Sequence, residues 1–265
     1  MKLNAAVRRE IKAQARACLL SRLPYCILAF AVYLVPTLFV SMLTAVPLDA
    51  NLGQLMTMLG LGLACEILLL GPIMLGVQYF FVRISRGQTP PLSALFAPLA
   101  GARSVWRGIR MTLCLLLRTL LLMFVPTALY EAAMYGLLFW QQGGGLPLGT
   151  FVLLWTAVLL LYSLVMLPIL GYLPSYWMGY AVLADDEQTG VWRATGTGPK
   201  LLRGQRWQMV AFTLSFLPWF LGGFLTCGLL TVFGAIYLFV SLYGLYDRLS
   251  GRQPDTPPQN PPFMG

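Results

Sequence analysis

Three charged side chains stand inside otherwise apolar stretches and are the first candidates for chemistry: Glu66, Arg118 and Glu131. A charge at mid-bilayer costs about 2.5–3.5 kcal/mol on insertion scales, so such residues face a bundle interior and often mark ion or substrate pathways. At the helical rise of about 1.5 Å per residue, Glu66 lies roughly 14 Å and Arg118 roughly 13 Å from the same boundary of the apolar region. These matching depths would allow a Glu66–Arg118 ion pair.

Glu131 is expected to act separately from that pair. It lies some 20 Å beyond Arg118 on the same helix and about 220° around it, so the two share a partner only if Pro126 bends the helix severely. In the simpler interpretation, Arg118 extends toward the lipid headgroups and Glu131 lies close to water on the far side. A structural pair or this extension is favoured, and a role in conduction or substrate binding is the alternative.

A stripe of tyrosines precedes a group of acids in "GYLPSYWMGYAVLADDE". Tyr172, Tyr176 and Tyr180 recur every fourth residue, and Asp185 follows them at the start of the acidic group. Aromatic side chains with a polar tip favour the headgroup level, so the spacing predicts an aromatic belt, with a ligand-binding stripe as the alternative. The acids Asp185, Asp186 and Glu187 are interpreted as a solvated helix end, because adjacent residues on one helix rarely converge on a metal ion.

The rest of the sequence offers little material for catalysis. It contains no histidine, which removes the usual general base and the commonest metal ligand. The five cysteines are scattered, form no C-x-x-C pair and are interpreted as small packing residues. The stretch "GTGPKLLRG" does not fit a phosphate loop, because Pro199 precedes Lys200 and Leu201 replaces the hydroxyl residue. We therefore expect no enzymatic activity, no cofactor and no metal site.

Composition defines the elements that must position these residues. Only 10% of the 265 residues are charged, 58% are hydrophobic, and the mean hydropathy is +0.74. Several apolar runs reach the roughly 20 residues that a helix needs to cross a bilayer. The prediction is an all-α, polytopic transmembrane helix bundle of about six spans. These are Leu23–Val46, Leu55–Val82, Ile109–Trp140, Gly149–Val182, Met209–Cys227 and Leu229–Tyr246, with the last two alternatively forming one kinked helix.

Basic residues alternate between the breaks. They are concentrated in residues 1–22, between the second and third predicted spans and between the fourth and fifth, whereas the stretches "PLDANLGQ" and "QQGGGLPL" between other spans contain none. Because Lys and Arg near helix ends stay on the cytoplasmic side, we expect a multi-pass protein of the plasma membrane with both termini cytoplasmic. The net charge of +9 is then explained by topology and by attraction to anionic lipids, with no nucleic-acid partner.

Three cytoplasmic segments are predicted to lie at the inner interface. Residues 1–22 form a basic amphipathic helix before a single transmembrane domain, 23–246, and residues 247–265 form a disordered proline-rich tail. Leu92, Leu95, Phe96 and Leu99 would share one face of a short interfacial helix, and Trp192 and Trp207 stand among basic residues in the loop after Asp186. The fourth span should end near Leu170, bend at its prolines and continue along the interface.

Two stretches resemble an uncharacterised bacterial integral-membrane family, the domain of unknown function 975 family. The first, "GPIMLGVQYFFVRISRGQTPPLSALF", is similar to the family's glycine–proline, phenylalanine-pair and arginine–glycine segment. The second begins at "GYLPSYWMGYAVLAD" and runs through "GQRW", "LSFLPW" and "LTCG". The resemblance implies several spans with amphipathic cytoplasmic segments and carries no activity. Where the family has a continuous helix after "LAD", we expect Gly196, Gly198 and Pro199 to interrupt it.

Two hypotheses for function follow from these patterns. The first is a non-enzymatic accessory protein that binds the bilayer, anionic lipids and an unidentified protein partner at the inner leaflet. The second is a small transporter or permeation pathway that uses Glu66 and Arg118, because broken helices and midplane charges are typical of transport sites. A membrane-embedded lipid-modifying enzyme has the least support.

Overall fold

The computed structural model describes residues 3–47, 50–143, 147–186, 188–226 and 228–252, and in these ranges every regular element is helical. Six helices within them are long and apolar enough to cross a membrane, which confirms the predicted transmembrane bundle. They span Leu23–Leu43, Leu52–Ser85, Ala102–Gln142, Leu148–Asp185, Arg206–Leu225 and Leu229–Leu249. The longest contains 41 residues, or about 60 Å of helix, roughly twice the thickness of a hydrocarbon core.

The α-helices are numbered in chain order. They are α1 (Ala5–Leu20), α2 (Leu23–Leu43), α3 (Leu52–Cys65), α4 (Gly71–Ser85), α5 (Ala102–Gln142), α6 (Leu148–Tyr172), α7 (Gly179–Asp185), α8 (Val191–Leu201), α9 (Arg206–Leu214), α10 (Leu217–Leu225) and α11 (Leu229–Leu249).

Breaks divide several of the long apolar helices, and a proline stands within or just after each of them. A π-helical turn, Glu66–Leu70, separates α3 from α4, and a 3₁₀ segment, Leu173–Met178, separates α6 from α7. Pro72 and Pro218 stand in the first turn of α4 and of α10, each just after a break, whereas Pro174 stands in the first turn of the 3₁₀ segment itself. Proline has no amide hydrogen to donate to the turn before it, and its fixed φ suits the start of a helix, so the helix reorganises there.

The last apolar region forms two antiparallel helices rather than one kinked helix. The chain reverses between α10 and α11 at Gly228, whose φ of 92° lies in the left-handed region that favours glycine. The two helices then approach closely, because a Cβ on Gly223 would lie 1.8 Å from the hydroxyl oxygen of Thr231. This resolves the alternative that the sequence left open.

The protein core is concentrated at one end of the bundle. We call this the basic end and define it by Arg86, Asp185 and Asp247, which meet there. Most of α4 is buried, as are α7 and the second half of α11. In α5, by contrast, only Gly108, Met111 and Met134 are buried. The remaining apolar surface of the long helices is exposed and suited to lipid, as expected of a membrane-spanning bundle.

The predicted interfacial segments differ from the structure in two places. The apolar residues of α1, Ile11, Ala15 and Leu19, pack inside the protein against α11 and α4 rather than on a lipid surface. Residues 92–99 form two 3₁₀ turns instead of one helical face. With three residues per turn, the buried Leu95 is separated from the exposed Phe96 and Leu99.

The expected interruption after Asp185 is wrong. Helix α8 continues through Gly196, Gly198 and Pro199 because these positions serve its packing. A Cβ on Gly198 would lie 1.9 Å from the carbonyl oxygen of Ser175, so this crossing requires glycine. Pro199 stands in the last turn of the helix, where it disturbs few subsequent hydrogen bonds.

The boundary predicted at residue 247 also differs from the structure. Helix α11 continues to Leu249, and Asp247 is buried against the rest of the protein. Arg252 forms an ion pair with Asp185, so the chain is held at least that far. The rest of the predicted tail, residues 253–265, lies outside the described residues, as does Glu187 of the acidic group.

Candidate functional site at the basic end of the bundle

An ion cluster joins three helix ends that are distant in sequence. The Arg86 guanidinium donates to both carboxylate oxygens of Asp247, from Nε at 3.1 Å and Nη2 at 2.8 Å. Its Nη1 lies 2.8 Å from Oδ1 of Asp185. Tyr246 and Arg252 also donate to Asp185. The cluster therefore ties the ends of α4, α7 and α11 together.

The geometry of this cluster favours strong interactions. The side chains of Arg86 and Asp247 are only 14% and 9% exposed, so solvent screens the bidentate contact weakly. Burial alone would lower the pKa of Arg86, but hydrogen bonds from Arg86 to Asp247 and Asp185 outweigh it and raise that pKa above its ordinary value. Arg86 consequently stays charged and holds two carboxylates in a site with little water.

The sequence prediction missed this cluster as a unit. Asp185 was included only as the end of the tyrosine stripe, and Arg86 was counted among the basic residues of a loop. Both partners nevertheless fall within the stretches that carry the family resemblance, Arg86 in "RISRG" and Asp185 in "VLADD". What no local pattern shows is that α11 supplies the third member, 161 residues after Arg86.

Glu66 and Arg118 have different partners in the structure. The Tyr33 hydroxyl donates to Oε1 of Glu66 at 3.2 Å, and Glu66 begins the π-helical turn. Arg118 donates from Nη2 to the carbonyl oxygen of Trp192 at 2.9 Å. No ion pair between Glu66 and Arg118 is found in the part of the chain that the structure describes. The matching depths therefore did not produce a contact.

The Arg118 guanidinium lies among aromatic rings. Its central carbon is 4.1 Å from the ring centroid of Trp192 and 5.4 Å from that of Tyr176. Gly196 faces it closely, because a Cβ there would be 3.3 Å from Nη2. Such a cation over two ring faces gains cation–π attraction. Arg118 thus turns toward α8 and away from Glu66.

Glu131 lies apart from both residues. It is exposed on the far half of α5, 13 positions beyond Arg118, with Pro126 between them inside a continuous helix. The structure therefore does not bring Glu66, Arg118 and Glu131 into one polar site.

The tyrosine stripe is split between the surface and the core. Tyr172 and Tyr176 are half-buried neighbours with ring centroids 6.2 Å apart, but Tyr180 is 1% exposed inside the protein. The 3₁₀ segment between α6 and α7 advances about 120° per residue rather than 100°, so a four-residue spacing no longer keeps one face. The bend lies close to the predicted one, but α7 packs in the core instead of along the interface.

Asp186 of the acidic group directly follows α7 and makes local hydrogen bonds. Asp186 accepts hydrogen bonds from the backbone N–H of Gln188 and from the Thr189 hydroxyl. The Thr189 hydrogen bond and then that of the Gln188 amide lower the pKa of Asp186. Within the described ranges, no three His, Cys, Asp or Glu residues are placed to hold a metal ion.

Three exposed tryptophans at or near helix starts each have an arginine as sequence neighbour. Trp106 precedes Arg107 in α5, Trp192 precedes Arg193 in α8, and Trp207 follows Arg206 in α9. Their side chains are 59%, 53% and 75% exposed. A cavity of about 150 Å³ also opens between α4, residues 94–98 and α5, with Arg83, Ser104 and Arg107 among its lining residues. Aromatic and cationic groups therefore coincide on this surface.

Fold and site together define a multi-span α-helical membrane protein with a packed, ion-paired basic end. Residues 2–253 match the family model described as "Protein of unknown function (DUF975)", and the chain belongs to this family. No curated protein and no solved structure matches the chain.

Proposed function

We propose that this protein is a non-enzymatic accessory protein of the bacterial plasma membrane whose basic end binds anionic lipids and docks a protein partner on the cytoplasmic side. The observation that carries the proposal is the set of three exposed Trp–Arg neighbours, at residues 106–107, 192–193 and 206–207. Indole rings favour the headgroup level, and arginine beside them adds attraction to negatively charged headgroups.

The distribution of charge supports a cytoplasmic position for this surface. Arg107, Arg193 and Arg206 belong to the segments between predicted spans that are rich in basic residues. The described residues at the opposite helix ends, such as Gln142 and Asn51, are uncharged. By the positive-inside rule this distribution supports a cytoplasmic position for the basic end, on the side of the anionic leaflet surface.

Cysteine labelling tests the orientation. In a variant whose native cysteines are serines, Gln142→Cys should react with a membrane-impermeant maleimide added to intact cells. Arg193→Cys should react only after the membrane is permeabilised. The reverse pattern would contradict the proposed topology.

Lipid selectivity tests the function directly. Protein reconstituted in nanodiscs with equal phosphatidylglycerol and phosphatidylcholine should retain an excess of phosphatidylglycerol when released and analysed by native mass spectrometry. Trp106→Ala should reduce that excess. Trp140→Ala is the matched control, because Trp140 is similarly exposed at the other end of α5. Equal retention of both lipids by the unaltered protein would reject the proposal.

A permeation pathway is the second candidate, favoured by the π-helical turn at Glu66. π-Helical turns are rare in proteins, and those that occur are often found at functional sites. Here the turn places the half-buried carboxylate of Glu66 beside the Tyr33 hydroxyl. Intramembrane acids are typical of proton relays.

Proton flux tests this alternative. Proteoliposomes containing a pH-sensitive dye and placed under an imposed membrane potential should acidify faster than empty liposomes. Glu66→Gln should abolish the difference, whereas Glu131→Gln, at an exposed position of α5, should leave it unchanged. Identical rates with and without protein would eliminate proton permeation.

A further inference from the structure

We propose that Arg118, Trp192 and Tyr176 form a binding site for the phosphate of an anionic lipid, and we call these three residues the arginine cage. The inference rests on the proposed function and adds the place and the chemical group that are recognised. It differs from the Trp–Arg surface because it depends on one half-buried cation, Arg118, rather than on the summed charge of the surface.

The cage holds a cation that has no carboxylate partner within the described ranges of the chain. None of the ion pairs in the described part of the chain includes Arg118, although Arg86, Arg248 and Arg252 all have acidic partners. Among the residues that the structure describes, its one hydrogen bond runs from Nη2 to the Trp192 carbonyl oxygen, and its buried Nε has no hydrogen-bond partner. Nη1 makes no hydrogen bond within the described residues, so the guanidinium has donors left for an anion at its outer end, whereas Nε is enclosed by protein.

The rings fix the orientation of the guanidinium. Trp192 and Tyr176 lie 4.1 Å and 5.4 Å from its central carbon and hold it by cation–π contact. A planar guanidinium held in this way presents N–H groups at its edge, and this fork matches two oxygens of a phosphate. Lysine would carry the same charge but lacks the fork.

A second arginine extends the cage along the surface. The Tyr172 ring packs against Tyr176, and the Arg206 guanidinium lies 5.9 Å from the Tyr172 centroid. Arg206 is exposed and has no ion pair among the described residues. Arg118 and Arg206 thus flank a pair of tyrosines, and the two positive charges together attract a negatively charged group.

The position of Arg118 favours a lipid over a free anion. It lies within an apolar helix, about 12 Å along the axis beyond Arg110, the preceding arginine of α5. Its half-buried side chain is bordered by Trp192, which is largely exposed, and by apolar surface that accepts acyl chains. A headgroup phosphate reaches this depth together with its chains, whereas inorganic phosphate must leave water to do so.

The experiment measures lipid affinity of the whole detergent-purified protein by native mass spectrometry, with short-chain phosphatidylglycerol as the probe. Arg118→Gln should weaken binding at least tenfold and Arg118→Lys several-fold, because lysine keeps the charge and loses the fork. Arg103→Gln is the matched control, since it removes an exposed charge from the same helix and should change the affinity less than twofold. Thermal unfolding confirms that each variant is folded.

Further measurements distinguish a lipid phosphate from a soluble one, and failure of the arginine cage from failure of the proposed function. Millimolar inorganic phosphate should not displace the lipid, and displacement that depends on Arg118 would assign the cage to a soluble phosphate compound instead. Folded Arg118→Gln protein with unchanged affinity would overturn the cage but leave the proposed function standing. Equal binding of phosphatidylglycerol and phosphatidylcholine by the unaltered protein would overturn both. If Arg118→Gln does not fold, the Arg118→Lys affinity decides, and no loss there overturns the cage.

Discussion

Helix α11, which ends at the basic end, and the parts of α5 and α6 that lie away from that end are all strongly apolar but are stabilised in different ways. We call those parts of α5 and α6 the α5–α6 hairpin. In α11, 56% of the most apolar stretch is buried within the protein, against 6% in the corresponding stretches of the two helices that contain α5 and α6. At the basic end, stacked rings such as Phe81 and Phe239 pack against one another under an ion cluster. In the hairpin, Phe124 and Leu161 point outward.

This difference shows that hydropathy identifies a helix without showing what covers it. Lipid tails solvate an apolar side chain about as well as another side chain does, so burial inside the bundle requires close packing or polar contacts. The basic end has both, through glycine crossings and the Arg86 cluster. The hairpin relies on the membrane. Substitutions in the two regions should therefore have unequal effects.

The largest contrast is expected for a matched pair of phenylalanines. Phe81→Ala should lower the free energy of unfolding by about 3–5 kcal/mol, because Phe81 is fully buried and its removal leaves a cavity. Phe124→Ala, at a position 70% exposed on α5, should cost under about 1 kcal/mol, since lipid fills the space. Unfolding in mixed micelles measures both. Equal losses would remove the distinction between the two regions.

Removal of the central cation should be nearly as damaging. Arg86→Gln leaves the buried Asp247 carboxylate without a cation and Asp185 with Arg252 alone, and should lower the free energy of unfolding by about 3 kcal/mol. Adding Asp247→Asn should restore part of the loss, because one uncompensated carboxylate disappears. Arg83→Gln, at an exposed position of the same helix, is the control. Strictly additive losses in the double variant would show that Arg86 and Asp247 act independently.

Two glycines should respond with opposite signs. Gly198→Ala brings a methyl group against the Ser175 carbonyl and should destabilise by about 1–3 kcal/mol through overpacking. Gly136→Ala has open space around it on α5 and should stabilise by up to about 1 kcal/mol, since alanine is the better helix former. The midpoint of thermal unfolding reports both. Destabilisation by Gly136→Ala would indicate a close contact in the hairpin.

The smallest expected effect concerns the exposed contact between Glu10 and Arg248. The hydrogen bond from Arg248 lowers the pKa of Glu10 relative to an ordinary glutamate. Its stabilisation is therefore fully present at neutral pH and is lost as acidification passes through that lowered pKa. The midpoint of thermal unfolding should be slightly lower for Glu10→Gln than for the unaltered protein at pH 7. The two should coincide in acid, and a difference that persists there would exclude ionisation of Glu10 as its cause.

The transmembrane helices could be predicted from the sequence because a run of about 20 apolar residues has few alternatives to a spanning helix. The bend after Leu170 was also predictable, since Pro168 and Pro174 limit hydrogen bonding there. The approximate positions of the spans thus follow from local rules, whereas their exact ends and the division of the last apolar region into two helices do not. The continuity of α8 through Gly196 and Pro199 does not, because its packing partner Ser175 decides it.

The candidate site was less predictable because its contacts depend on helix phase and on distant partners. A change to three residues per turn turned Tyr180 inward, although the spacing favoured one stripe. Arg118 had the right depth to meet Glu66, but depth does not fix direction around the axis. The helix faces it toward Trp192 instead. Relations between side chains on different helices required the packed structure.

The separation of 161 residues between Arg86 and Asp247 has a consequence for how the protein is made. A ribosome adding about 5–20 residues per second needs roughly 10–30 s to pass from one to the other. During that interval α4 has already been synthesised, but the Arg86 guanidinium that follows it has no carboxylate of α11 to bind. The earlier helices are therefore inserted in the membrane before the Arg86–Asp247 ion pair can form, and they remain without it until the final helix leaves the translocation machinery.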